Sequence, residues 1–211
     1  MDLYFSPLAC SMASRIALYE AGSPAEFIEV DPKTKRTLDG ADYFSVNPIG
    51  LVPAIRTDDG EVLTENAAIL QYIADRAPDA GLAPMEAMPR TRLHQWLCFI
   101  GTELHKALFI PLFDTKLPAD MKARILEKGD TRLAYLNAHL EGREFLLDRF
   151  SVADAYLFTV LNWRIATPVA IEKWPAIESY YSRMKKRPNI SRALSEEHAL
   201  YAEEVKRHKS A

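Results

Sequence analysis

The stretch at residues 3–22, LYFSPLACSMASRIALYEAG, decides the fold of the first part of the chain. A short apolar run over 2–5 predicts a strand, and the apolar spacing over 11–21 predicts a helix. Gly22 is typical of the residue that follows the end of a helix. Cys10 therefore lies at the junction between a strand and a helix.

The surroundings of Cys10 favour a reactive thiol. A side chain at the start of a helix faces the positive end of the helix macrodipole, which favours the thiolate that attacks disulfides and electrophiles. Ser11 is expected to cap this helix. Ala13 stands where a resolving cysteine would be, so disulfide chemistry at Cys10 would need an external thiol. The alternative is that Cys10 is a small buried apolar residue, as most free cysteines are.

Composition excludes several classes of protein. The 211 residues include 48% apolar and 26% charged residues with a formal net charge of -3, which gives no reason to expect nucleic acid or an anionic membrane as a partner. The two cysteines, Cys10 and Cys98, argue against a disulfide framework and suit a reducing compartment. We find no signal peptide and no transmembrane stretch in the sequence, so we expect a cytoplasmic protein.

Further strands are predicted before Pro78. The alternating pattern over 26–30 indicates a second strand. The apolar runs 51–56 and 61–63 flank Asp59-Gly60, which is a strong hairpin signal. A strand–helix–strand order gives a parallel pair and the hairpin adds antiparallel strands. We therefore predict a mixed four-stranded sheet with helices on its faces.

The rest of the chain has helical periodicity almost throughout. We predict an α/β domain over 1–77, a linker rich in Pro, Ala and Gly over 78–89, and an all-helical domain over 90–211. The tail over 201–211 is charged and is expected to be frayed or partly helical. The predicted helices outside 11–21 are 64–76, 90–113, 119–142, 152–166, 176–187 and 190–197.

Five motifs in this sequence carry the resemblance to a known family. They are LYFSPLACS at 3–11, NPIGLVPAI at 47–55, LTENAAILQYIAD at 63–75, WLCFIGTELHKALF at 96–109 and FSVADAYLFTVL at 150–161. Together they resemble a bacterial glutathione S-transferase, most closely of the cysteine-type or beta class. The resemblance implies a thioredoxin-like N-terminal domain, an all-α C-terminal domain, glutathione as co-substrate, no metal, and a homodimer.

The resemblance also implies a set of glutathione-binding residues. Pro53 would form a cis peptide bond, and Val52 would pair like a strand with the cysteinyl unit of glutathione. Glu65 would bind the ammonium of the γ-glutamyl unit, and Asn66, where the family often has Ser, would bind its carboxylate at a helix start. Lys35 is the residue expected to bind the glycine carboxylate. The alternatives are a turn proline, an ordinary helix cap and a solvated loop.

The motif at 96–109 is expected to contribute the second substrate site. Cys98 and His105 are seven residues apart, so on a regular helix they would share a face with Thr102 and Phe109. The resemblance implies that His105 points at the sulfur and sets the surroundings of Cys10, by charge or by a hydrogen bond, although a lone histidine is more often structural. A hydrophobic co-substrate would lie between the domains, lined by the helix that carries His105 and Phe109. We expect Cys98, where the family usually has Asn, to fill space in the core; the alternative is that it brings a second sulfur close to Cys10.

Three other positions have predicted roles. Ser11 is the second catalytic candidate, because its hydroxyl would lie beside Cys10. Tyr4 is not assigned as catalytic, since strand alternation places it on the face opposite to Phe5. Ser151 and Asp154 fit a capping box and are expected to be structural.

The sequence therefore predicts an enzyme that conjugates glutathione to hydrophobic electrophiles in detoxification, exchanges thiols and disulfides through Cys10, or does both. A non-catalytic binding module with the same fold is the alternative from another class. A specialised glutathione-dependent lyase or dehalogenase would use the same glutathione site and differ in the second pocket.

Overall fold

The computed structural model describes residues 1–210, which divide into two compact units. The first unit contains residues 1–82 together with the last helix, and the second contains 83–187. The last helix thus groups with the first unit, whereas the sequence places it in a domain over 90–211. This helix contacts the first unit, and one of the contacts is a buried ion pair between Glu197 and Arg15, 182 positions earlier in the sequence.

A mixed four-stranded sheet forms the centre of the first unit, as predicted. Its strand order is β2-β1-β3-β4, with β1 parallel to β2 and the other neighbours antiparallel. Leu3 pairs with Phe27 on one side and Ile55 on the other. Leu3 and Ile55 are fully buried, so the middle of the sheet is core. The strands are β1 (Asp2–Phe5), β2 (Glu26–Glu29), β3 (Ala54–Arg56) and β4 (Val62–Thr64).

The predicted hairpin joins β3 to β4. Ala54 pairs with Thr64, and the N–H of Gly60 donates to the carbonyl of Thr57 at 3.0 Å. Gly60 has φ +86, a conformation that side chains disfavour. The turn therefore explains why glycine stands at this position.

Three helices belong to the first unit. Buried residues of α1 include Ile16 and Leu18, and those of α2 include Ile69 and Ile73, so both helices present an apolar face to the core. Short 3-10 turns occur at Tyr43–Ser45 and Pro78–Ala80. The helices are α1 (Met12–Ala21), α2 (Asn66–Arg76) and α8 (Pro188–Ser210).

The end of α8 corrects a prediction. We predicted a helix over 190–197 and a frayed or partly helical tail, but the helix continues to Ser210. Two contacts hold its last turns: Arg207 forms an ion pair with Glu29, and His208 Nε2 lies 2.7 Å from Asp31 Oδ2. Local sequence periodicity cannot reveal these partners, because they lie 178 and 177 positions away in the chain.

The second unit is helical, and its described residues include no strand. Helix α6 is buried along its whole length. One segment is a π-helix, with hydrogen bonds closing over five residues, and the sequence did not predict it. Nowhere in residues 1–210 is there a helix with both the length and the apolar character needed to span a bilayer. The helical segments are α3 (Ala87–Phe99), the π-helix (Ile100–Phe109), α4 (Ile110–Leu112), α5 (Ala119–Leu140), α6 (Val152–Asn162) and α7 (Pro175–Lys185).

The predicted capping box is present at the start of α6. Asp154 is fully buried, and its carboxylate accepts hydrogen bonds from Ser151 N–H, Ser151 Oγ and Leu146 N–H, each at 2.9 Å, and from Tyr180 Oη at 3.0 Å. Burial raises the pKa of Asp154, and these hydrogen bonds act in the opposite direction. The carboxylate thus joins three separate segments of the second unit.

We expect Asp154→Ala to lower the free energy of unfolding by about 3 kcal/mol, because each buried donor left without an acceptor costs about 1–3 kcal/mol. Urea unfolding followed by circular dichroism measures the change. Asp148→Ala, at an exposed position in the preceding loop, is the control. Equal midpoints for the two variants would show that the network contributes little.

Candidate active site

Cys10 lies in a tight loop between β1 and α1. Ala9 N–H donates to Ser6 C=O at 3.1 Å, and Leu8 has the left-handed backbone conformation, with φ 58. The Cys10 side chain is partly exposed, and its Sγ donates a hydrogen bond to the carbonyl of Val52 at 3.2 Å. The thiol therefore meets the segment that the sequence assigned to glutathione.

The Val52-Pro53 peptide bond is cis, as the family resemblance implied. The chain before it is held at Leu51, whose carbonyl accepts hydrogen bonds from Tyr43 Oη at 2.8 Å and from Asn47 Nδ2 at 2.7 Å. These two side chains fix the approach to Val52, so its carbonyl is positioned next to the thiol.

Ser11 does not cap α1, which is a correction. Its hydroxyl instead donates to Ser6 C=O at 3.2 Å and accepts from Ser6 N–H at 3.3 Å. The residue is fully buried. Ser11 thus closes the loop that carries Cys10, and its hydroxyl faces inward, which does not favour the predicted catalytic role.

The start of α2 reaches the same loop. Glu65 is exposed and has φ 66, and its carbonyl accepts hydrogen bonds from the N–H groups of Ala68 and Ile69. Asn66 is buried, its Nδ2 donates to Cys10 C=O at 3.1 Å, and its Oδ1 accepts from Ser14 Oγ at 2.9 Å. The side chain expected to bind a carboxylate is therefore engaged with protein groups. The main-chain N–H groups ahead of Ala68, at the very start of the helix, have no intrahelical acceptor and can serve as anion donors.

Lys35 lies in the loop after β2, with its backbone in the left-handed region at φ 57. Its carbonyl accepts from Tyr43 N–H at 3.0 Å. Lys35 Cδ lies 3.5 Å from the position that a Cβ would occupy at Gly50, so the aliphatic stem runs along the segment that leads to Val52. The first unit thus brings Cys10, Val52, Pro53, Glu65, Asn66 and Lys35 into one region.

His105 lies on the π-helix of the second unit and is 5% exposed. Its Nδ1 is 2.7 Å from Tyr156 Oη, and its ring packs edge-on against Trp163 with centroids 4.8 Å apart. Burial, with a smaller contribution from Lys106, lowers the pKa of His105 to about 4. The ring is therefore neutral at neutral pH. Of the two predicted ways in which His105 could act on Cys10, a neutral ring does not favour the one by charge.

The π-helix separates residues that the sequence placed on one face. Cys98 and Thr102 are exposed, whereas His105 and Phe109 are buried. The predicted common face is wrong because the wider turn moves residues after Ile100 out of α-helical register. The prediction that Cys98 fills core space is also wrong, because Cys98 lies on α3 and is exposed.

Phe109 also differs from expectation. It is fully buried, and its ring centroid lies 6.1 Å from that of Trp163. A side chain with no exposed surface packs the core in this structure, so the observed conformation does not support the predicted contact with a hydrophobic co-substrate.

Sequence reasoning missed a support for the Cys10 loop that comes from α8. Glu197 Oε2 accepts from Leu8 N–H at 2.5 Å, and Glu197 Oε1 accepts from Arg15 Nε at 2.8 Å. Burial raises the pKa of Glu197 to about 7 against the lowering effect of Arg15. The sequence carries no signal for this contact, which joins residues 189 positions apart. It also carried no signal for Ser14 or Tyr156 as partners of site residues.

Comparisons with known proteins agree with this geometry. The N-terminal domain model of the glutathione S-transferase family matches residues 2–75, and the C-terminal domain model matches 95–188. The chain is 43% identical over 199 residues to glutathione S-transferase GstA of Escherichia coli O157:H7, covering 93% of this chain and 98% of that protein.

Solved structures give the same result. A sphingomonad glutathione S-transferase complexed with glutathione has a TM-score of 0.89 and 43% identity, covering 94% of this chain and 99% of that one. The bacterial beta class enzyme of Sphingomonas chungbukensis has a TM-score of 0.88 and 41% identity, with 93% and 98% covered.

The chain therefore belongs to the glutathione S-transferase family, and the predicted fold and enzyme class, a transferase, are confirmed. The likeness to the Sphingomonas structure confirms the bacterial beta class as well. Within residues 1–210, no group of three or more His, Cys, Asp or Glu side chains is arranged to hold a metal ion.

The buried state of His105 predicts a pH dependence of stability. Folding lowers its pKa from 6.5 to about 4, so the unfolded chain takes up the proton first, and stability present above pH 6.5 is lost as the pH falls toward 4. Between pH 7 and 5, the free energy of unfolding of the wild type should fall by about 2 kcal/mol more than that of His105→Gln.

Urea unfolding at both pH values measures this difference. His94→Gln is the control, since His94 is exposed on the preceding helix. Parallel pH profiles for the wild type and His105→Gln would show that His105 does not titrate abnormally.

Proposed function

We propose that this protein binds glutathione along β3 and the start of α2 and reacts through Cys10. The observation that carries the proposal is the contact between Cys10 Sγ and the Val52 carbonyl. A tripeptide that paired with Val52 like an added strand would bring its own sulfur to the same place. The sphingomonad relative is complexed with glutathione, which supports glutathione as the ligand.

The other ends of glutathione would be bound by groups in the same unit. The γ-glutamyl carboxylate would accept hydrogen bonds from main-chain N–H groups at the start of α2, where the helix dipole favours an anion. The exposed carboxylate of Glu65 would bind the ammonium, and Lys35 would bind the glycine carboxylate. Asn66 would act indirectly, since its side chain holds the Cys10 carbonyl.

Thiol–disulfide exchange follows from this arrangement. The Cys10 thiolate would attack the glutathione sulfur of a mixed disulfide between glutathione and another thiol, forming a Cys10–glutathione disulfide and releasing that thiol as its thiolate. A second glutathione thiolate would attack the glutathione sulfur of that disulfide, releasing Cys10 and oxidised glutathione. Ala13 leaves the loop without a resolving cysteine, so the second step requires an external thiol.

Conjugation is the second proposed reaction of the same site. The thiolate of bound glutathione would attack a small hydrophobic electrophile and displace its leaving group, as in detoxification. Ser11 would contribute by closing the Cys10 loop.

We further propose that the protein is a cytoplasmic homodimer. Several large apolar side chains of the first unit are exposed, including Phe44, Ile49 and Leu51. In the proposed dimer, the second chain would cover these apolar side chains.

A glutathione adduct on Cys10 is the first expected result. Because Cys98 is exposed and would also react, the experiment uses Cys98→Ser incubated with oxidised glutathione. Intact-mass spectrometry should show one glutathione per chain, released by reductant. Cys10→Ser in the same Cys98→Ser background is the matched control and should gain no mass. If Cys98→Ser itself gains no glutathione, the proposed chemistry at Cys10 is contradicted.

Glu65→Ala should weaken binding of S-methylglutathione by one to two decades, because a hydrogen bond to a charged group contributes about 1.5–3 kcal/mol. Isothermal titration calorimetry measures the affinity. Glu61→Ala, which removes an exposed carboxylate from the nearby hairpin, is the control. A lower melting temperature with unchanged affinity would mean that Glu65 serves only the helix start.

A further inference from the structure

The loop that carries Lys35 is organised by Asp31. Asp31 Oδ1 accepts hydrogen bonds from the N–H groups of Lys33 at 2.8 Å and Thr34 at 2.9 Å. The main chain of Asp31 is also paired, its carbonyl with Lys35 N–H at 3.0 Å and its N–H with Arg36 C=O at 2.9 Å. This turn holds Lys35 at φ 57, a conformation that residues other than glycine adopt uncommonly.

The second carboxylate oxygen of Asp31 is bound by the last helix. His208 Nε2 lies 2.7 Å from Asp31 Oδ2, and the two side chains are only 18% and 15% exposed. Glu204 Oε1 lies 3.9 Å from the other ring nitrogen, and Arg207 binds Glu29 at the end of β2. Burial alone would raise the pKa of Asp31. The hydrogen bonds from Thr34, His208 and Lys33 outweigh that effect and lower the pKa to about 2. The carboxylate is therefore ionised, and it is held from two sides.

The position of this turn decides where the Lys35 ammonium can reach. The Lys35 stem runs beside Gly50, two residues before Val52, and the Lys35 carbonyl accepts from Tyr43 N–H. A rotation of the turn would move the ammonium away from the segment that leads to Val52. The orientation of Lys35 thus depends on Asp31, and one of the contacts of Asp31 comes from α8.

We infer that His208 is a positioning residue for glutathione binding: by holding Asp31, it fixes the turn that presents Lys35 to the glycine carboxylate. This inference rests on the proposed function, because it assumes that Lys35 binds that carboxylate. The consequence is a role in specificity. His208 makes the site distinguish the tripeptide from γ-glutamylcysteine, which has the same first two residues and lacks the glycine.

The test compares two ligands in calorimetry, S-methylglutathione and S-methyl-γ-glutamylcysteine. His208→Ala should weaken binding of the tripeptide about tenfold, because the contact between Lys35 and the glycine carboxylate becomes weaker. The affinity for the dipeptide, which lacks that carboxylate, should be unchanged. Lys35→Ala should give the same pattern, and the double variant should show no additional loss. Lys209→Ala, an exposed cation in the same turn of the helix, should bind both ligands like the wild type.

The conservative variant His208→Gln keeps a donor for Asp31 and should restore tripeptide affinity. If His208→Ala does not fold, His208→Phe replaces it, since it keeps the ring and removes the donor. Equal losses for both ligands would overturn the inference, because the helix end would then act on the whole site.

The binding measurements distinguish a failure of the inference from a failure of the proposed function. If Lys35→Ala binds the tripeptide normally while Glu65→Ala does not, the inference is overturned and the glutathione site stands. If the wild type binds neither ligand, both are overturned.

Discussion

A buried ion pair between Arg15 and Glu197 supports much of the first unit. Their side chains are 4% and 0% exposed, and the Arg15 guanidinium also lies over the rings of Phe5 and Phe27 at 4.4 and 4.0 Å. Desolvating two charges is costly, so such a pair persists only with good geometry and additional hydrogen bonds. One of those hydrogen bonds goes to Leu8 N–H, and the reactive loop therefore depends on the pair.

The loop around Cys10 is consequently held from outside at several points. Glu197 holds it before the cysteine, Asn66 binds the Cys10 carbonyl, and Val52 accepts from its sulfur. Each contact comes from a different element, α8, α2 and the segment before β3. Because a short loop has little core of its own, these distant groups set the geometry that α1 and β1 cannot set alone.

Much of the first unit could be predicted from sequence because its signals are local. Strand alternation and Asp59-Gly60 gave the sheet and hairpin, and the motif at 47–55 gave the cis bond at Pro53. The π-helix could not be predicted, since apolar spacing over ten residues fits an α-helix nearly as well. The extent of α8 and the engagement of Asn66 depend on partners far away in sequence, which periodicity does not report.

The π-helix also changes how length variation acts on the second unit. An α-helix turns by about 100° per residue and the wider π-helix by less, so Ile100–Phe109 accommodates more residues over the same rotation than an α-helix would. A single deletion could thereby restore regular hydrogen bonding and yet carry His105 away from Tyr156. The number of residues in the π-helix, as much as their identity, therefore determines which side chains become buried.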